Sequence, residues 1–210
     1  MHRGKCFVVA AALSFALSTV AAAEPSYAHR VSVRVYDMAG IGVATTSTAL
    51  ATAEAALRSA SIAVDWHNCA VPAATAPCGT PPTNDYVVRI VRTADARGRG
   101  PQPLGEALVD MTTGSAAFAT IYFQRVHHLS RSAGADEARV LGYAIAHELG
   151  HLLMASHVHS DQGLMRPQWG KRDLRRLRDA DWQFSAPDAA AIRDRIEADR
   201  LPSNVVWTTR

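Results

Sequence analysis

The run His147-Glu148-Leu149-Gly150-His151 sits inside a stretch whose apolar residues, Val140, Leu141, Ala144, Ile145, Leu149 and Leu152, suit a buried helix. The pattern has chemical meaning only on a helix, where residues four apart lie on one face, one turn above the other. A helix is therefore expected from about Glu137 to Ala155. Two imidazoles placed in that way reach one Zn²⁺ at nitrogen–metal distances of roughly 2.0–2.1 Å. Glu148, next to the first of them, can lean toward an open coordination position, take a proton from water there and pass it to a leaving amine.

A catalytic zinc site uses three protein ligands and keeps one position open. His157 and His159 compete for the third place, ten and twelve residues after His147. The shorter spacing goes with a helix that stops sharply after the second ligand, with a left-handed residue seven residues after the first histidine. That position is Met154, for which positive φ is sterically costly. A later exit through Ala155-Ser156 suits His159, the expected third ligand, with His157 the alternative. Asp161 is a more distant acidic candidate.

Upstream, His29 to Asp37 alternates apolar and polar residues and reads as a half-buried strand. Thr46 to Ser61 carries Ala49, Leu50, Ala53, Ala56 and Leu57 at helical spacing. Strands are expected at 62–66, 86–91, 104–110 and 119–126, then a polar break at 130–136 before the motif helix. Two further helices are expected at 171–181 and 187–199, the second opened by Ser185 and Pro187. Strands followed by helices in this order describe an α+β domain with a small helical C-terminal part. No repeat or linker divides it.

The first residues, Met1 to Lys5, are basic, Cys6 to Val20 is apolar, and Ala21-Ala22-Ala23 offers a cleavage site. This is the pattern of a secretory signal peptide over residues 1–23, and the apolar run is short for a membrane anchor. Residues 24–210 then form one domain in the periplasm or outside the cell. Loss of Arg3 and Lys5 reduces the 22 basic residues to 20 against 19 acidic ones. No basic face for a nucleic acid is indicated. Arg172, Arg175, Arg176 and Arg178 alternate with Asp173, Asp179 and Asp181, as on a solvated helix face. In an oxidising compartment, Cys69 and Cys78 are expected to form a disulfide.

HELGHLLMASHVHSDQGLM resembles the zinc-binding segment of the zincin metallopeptidases, and among them the metzincins, in which a helix and loop H-E-x-x-H-x-x-G-x-x-H are followed by a Met-turn. Gly163-Leu164-Met165-Arg166-Pro167 is placed like that turn, with Met165 eight residues past His157; Met154 stands where metzincins have glycine. A closer likeness is to predicted exported bacterial proteins carrying HELGHLLLG-x-x-x-HS-x-x-GIM, over roughly residues 140–200. There the third histidine aligns with His159. The resemblance implies a zincin-like mixed sheet with a backing helix and a long active-site helix. It also implies an edge strand that pairs with an extended peptide substrate. Residues 114–124 are the candidate for that edge, with an ordinary internal strand as the equal alternative.

These readings converge on an exported zinc metallopeptidase, a hydrolase in which Glu148 is the acid/base residue. A zinc hydrolase of a non-peptide substrate and a zinc-stabilised binding module without turnover are the alternatives. Glu148 speaks against the module, since a purely structural site has no use for an acid/base group. His127-His128 is expected to be a solvated pair at a strand end and His67 to be structural, while Tyr143 belongs either to the core or to the site. There is no phosphate-binding glycine loop, no G-x-S-x-G elbow and no compact acidic run for calcium.

Overall fold

The alternation of Val31, Val33 and Val35 with polar residues makes His29–Asp37 (β1) a strand with one face in the core. A computed structural model describes residues 29–70, 78, 85–92, 102–113, 115–176 and 178–200. The expected signal peptide lies outside the described residues. Helix α1 spans Val43–Ser59 and begins three residues earlier than its apolar spacing suggests, because Gly42 (φ 90°) turns the chain into it. Strand β2 (Ile62–Ala70) continues past Trp66 to include Cys69. β3 is Tyr86–Val91, β4 is Gly105–Asp110 and β5 is Ser115–Tyr122.

The five strands form one sheet in the order β2-β1-β3-β5-β4. The first four run parallel, and β4 returns antiparallel against β5, with Gly105 opposite Ile121 and Leu108 opposite Phe118. The expectation that residues 114–124 form the edge is thereby corrected. β5 is paired on both sides, because the short connection after Asp110 folds β4 back as an antiparallel neighbour. The edges of the sheet are β2 and β4, and β4 is the one packed beside the helix that carries the histidine motif.

Strand 119–126 is corrected as well. β5 ends at Tyr122, and Phe123–Ala133 is helix α2, which occupies most of the expected polar break. Its residues Val126, Ser130 and Ala133 are buried, and α2 packs against α3. This tertiary contact outweighs the β preference of Phe123 and Val126. Gly134, in the left-handed region, ends the helix. His127 and His128 accordingly sit on a helix, where the His127 imidazole pairs with the Glu137 carboxylate.

The motif helix α3 spans Glu137–Met154, with Asp136 as N-cap accepting the Arg139 N–H at 2.8 Å. It runs behind the sheet and packs on α1, β4 and β5. Leu141, Ile145, Leu149, Leu152 and Leu153 are almost wholly buried, each contributing about 1.5–3 kcal/mol. Gly142 permits the close crossing with α1, since a Cβ there would lie 2.4 Å from the Ala49 carbonyl oxygen. The expected helix 171–181 is two pieces, α4 (Lys171–Arg175) and a 3-10 turn at Asp179–Trp182. Burial of Leu174 and Trp182 on the core fixes the two separately. Helix α5 spans Ala186–Arg200 and starts with a reciprocal cap: Ser185 donates its hydroxyl to Asp188 at 2.6 Å, and the Asp188 N–H returns to it. Cys69 and Cys78 form a disulfide with Cα atoms 5.5 Å apart. No helix among the described residues is long and apolar enough to cross a membrane.

Candidate metal centre

Helical spacing brings His147 and His151 together on α3, with their Nε2 atoms 3.2 Å apart. The His159 Nε2 lies 3.2 Å from that of His151, and the three ligand atoms lie within 4.8 Å of one another. A tetrahedral ion with bonds of roughly 2.0–2.1 Å would hold nitrogens about 3.3 Å apart. His157 lies outside this group, its ring 6.2 Å from that of His151.

Backbone carbonyls decide which nitrogen faces inward. His147 donates Nδ1–H to the Leu164 carbonyl at 2.9 Å, and His151 donates Nδ1–H to the Ser156 carbonyl at 2.8 Å. Each neutral ring therefore turns its Nε2 lone pair toward the other. Burial holds both rings neutral, lowering His147 to about 3 and His151 to about 4, and it lowers His159 too. Two acceptors held lone pair to lone pair repel unless a cation lies between them. The donor set of three imidazoles suits zinc.

Two turns of chain position the third histidine. Helix α3 ends with Ala155 in the left-handed region at φ 47°, one residue beyond the metzincin glycine position. The Ser156 N–H closes the exit on the His151 carbonyl at 3.1 Å. Beyond His159, Ser160 donates its hydroxyl to Asp188 at 2.5 Å and its N–H to the Met165 carbonyl at 2.9 Å. Met165 is fully buried beneath the helix, and a Cβ on Gly150 would lie 2.6 Å from its sulfur. The turn that buries Met165 is thus also the turn whose Leu164 carbonyl orients His147.

Glu148 is buried against the sheet edge. A Cβ at Gly105 would stand 2.8 Å from its Cγ and 2.8 Å from its Oε1, so only glycine leaves room for the carboxyl. Burial, with a smaller contribution from the charge of Glu106, raises Glu148 to about 8. The sequence gives no direct sign of this role for Gly105; the one hint is a glycine that opens a strand after a Pro/Gly-rich loop. Tyr143 is turned away from the centre, stacking on Trp182 and donating its hydroxyl to Asp179 at 3.1 Å. Trp169 stands edge-on to His147, with ring centres 5.5 Å apart. His67 bonds Ser32 at 3.1 Å on β2, and Asp161 is exposed outside the histidine group.

No family model matches the chain, and no curated protein matches it. Solved structures do. Archaemetzincin from Methanopyrus kandleri superposes with a TM-score of 0.53 at 12% identity, over 83% of this chain and 99% of that one. A zinc-dependent peptidase from Methanocorpusculum labreanum gives a TM-score of 0.50 at 12% identity, over 76% of this chain and 99% of that one. The fold is that of the zincin-like metallopeptidases.

Proposed function

We propose that this chain is an exported zinc-dependent peptidase. The observation that carries the reading is the joint placement of three converging Nε2 atoms and the Glu148 carboxyl, which lies beside β4, one of the two edge strands of the sheet. His147, His151 and His159 would hold the ion. Zinc in such a site supplies Lewis-acid chemistry, polarising a carbonyl and acidifying water.

The remaining work falls to the chain. The edge strand holds the peptide: Tyr122 donates its N–H to the Leu104 carbonyl at 2.8 Å. By antiparallel alternation, Gly105 and Ala107 then turn their N–H and C=O groups outward, where an extended backbone can pair with them. Glu148, held next to Gly105, takes the proton of the attacking water and delivers it to the departing amine. A carboxyl raised toward neutrality by burial is a competent partner for both transfers. The disulfide supports export, since such bonds persist in oxidising compartments.

The test is zinc content and peptide cleavage of the mature protein beside Glu148→Gln. The expected result is about one zinc per chain in both proteins, with chelator-sensitive cleavage in the wild type alone. Cleavage at full rate by Glu148→Gln would overturn the mechanism. Zinc binding without turnover on any peptide would favour a binding module.

A further inference from the structure

Side chains on a strand alternate between faces, so Glu106 and Leu108 of β4 share the face opposite to Gly105 and Ala107. Both are exposed, and Leu108 is 70% accessible. Phe118, directly across from Leu108 on β5, is 44% exposed and widens that apolar spot. Glu106 lies at the other end, adjacent to the glycine against which Glu148 packs. The Tyr122 side chain shares this face, one diagonal position from Glu106. Two cations lie nearby and both are engaged elsewhere: Arg125 lies over the Tyr122 ring at 4.4 Å and donates to the Pro103 carbonyl at 2.7 Å, and Arg89 donates at 3.1 Å to the hydroxyl of Thr120, the residue opposite Glu106. Among the described residues Glu106 forms no ion pair. A carboxylate and an apolar spot two residues apart thus lie on a strand edge with nothing paired to it among the described residues.

We infer that β4 selects its substrate through Glu106 and Leu108, favouring peptides with a Lys or Arg two positions from a large apolar residue. The spacing follows from the geometry of strand addition. A peptide paired to β4 sets alternate side chains on the same face, so the two that flank Glu106 and Leu108 are separated by one residue. Glu106 meets the cation, and Leu108 with Phe118 covers the apolar side chain. The inference rests on the peptidase reading and adds its substrate class.

A mixed peptide library digested by the zinc-loaded mature chain, with cleavage sites read by mass spectrometry, tests it. Wild-type cleavage sites should be enriched for the basic–x–apolar pair. Glu106→Gln should lower the ratio of kcat/KM for basic over neutral peptides by roughly fivefold, the scale of an exposed ion pair. Glu106→Lys should reverse that preference toward acidic residues, and Leu108→Ser should erase the apolar preference while the basic one persists. Chelator-sensitive cleavage without this enrichment, or an unchanged profile in Glu106→Gln, would overturn the inference and leave the peptidase reading in place. Absence of any chelator-sensitive cleavage would overturn both.

Discussion

Gly105→Ala is the substitution that most directly separates the acid/base role proposed for Glu148 from the metal-binding role proposed for the histidines. The added methyl would meet the Glu148 Cγ, the Glu148 Oε1 and the Thr120 carbonyl oxygen, each at 2.8 Å. Backbone on one side cannot yield cheaply, so the Glu148 carboxyl must move. Overpacking of this kind costs about 1–3 kcal/mol of stability. Displacing a reacting group by an ångström lowers turnover by about a hundredfold, or roughly 2.7 kcal/mol in the barrier. The histidines are not touched, so zinc stoichiometry should hold. Gly134→Ala is the matched control: a left-handed residue with nothing within 4 Å of the new Cβ, at the far end of α2. It should cost about 1–2 kcal/mol through backbone strain alone. The assay is denaturant unfolding, zinc content and peptide turnover of the two variants side by side. Similar destabilisation with turnover lost only in Gly105→Ala is the expected outcome. Wild-type turnover in Gly105→Ala, or loss of its zinc, would refute the argument.

His159→Ala should lose zinc by more than the roughly 10–100-fold typical of removing a ligand's outer hydrogen-bond partner, while His157→Ala keeps it; metal analysis after dialysis reads the difference. In metal-free protein, Glu148 is raised from 4.5 to about 8, so the folded state holds a proton that the unfolded state has released. The Glu148 contribution to stability should therefore fall as pH rises through that window, by up to a few kcal/mol, against a rise below about 6.5 from the neutral His147 and His151; Glu148→Gln should be less destabilised than the wild type on going from pH 5 to pH 9 in urea titrations. Met165→Ala should cost about 2–5 kcal/mol by opening a cavity beneath Gly150, and Met165→Leu less than about 1.5, as measured by denaturant unfolding. Ala155→Gly should leave zinc binding intact and change stability by no more than about 1 kcal/mol, because relief of left-handed strain opposes the larger entropy of the unfolded chain; a calorimetric scan with and without zinc checks both.

The motif helix was legible because its signals agree: apolar content from Val140 to Leu152, a polar break that ends at Asp136, and two histidines at a spacing that only a helix makes useful. β1, β3 and α1 were legible for the same reason. The stretch from Ala119 to Val126 was not, because its aromatic and β-branched residues suit a strand as well as they suit one turn of α2. Burial of Val126 against α3 decides between the two, and that contact spans distant parts of the chain. The identity of the edge strand was hidden too. β4 and β5 each carry a plausible strand pattern, and only the order of pairing leaves one of them open. Glu148's neighbours, Gly105 and Glu106, were hidden for the same reason.

The choice between two candidate ligands turns on one residue of helix length. An exit at Met154 would require positive φ from a long side chain, whereas Ala155 meets the same demand with a single methyl. Once the helix runs that one residue further, the Ser156 N–H caps the His151 carbonyl, and the Ser156 carbonyl returns to the His151 ring. The exit turn thus orients His151 before the chain reaches His159. His157 then falls on the rim, and His159 comes round to the Nε2 of His151. Ser160 fastens that return to Asp188, which also caps α5 through Ser185. The small C-terminal helix therefore acts on the centre from outside it. By holding Asp188 in place, it fixes the loop in which His159 is the residue that faces the metal position, and the short spacing of the motif is not used.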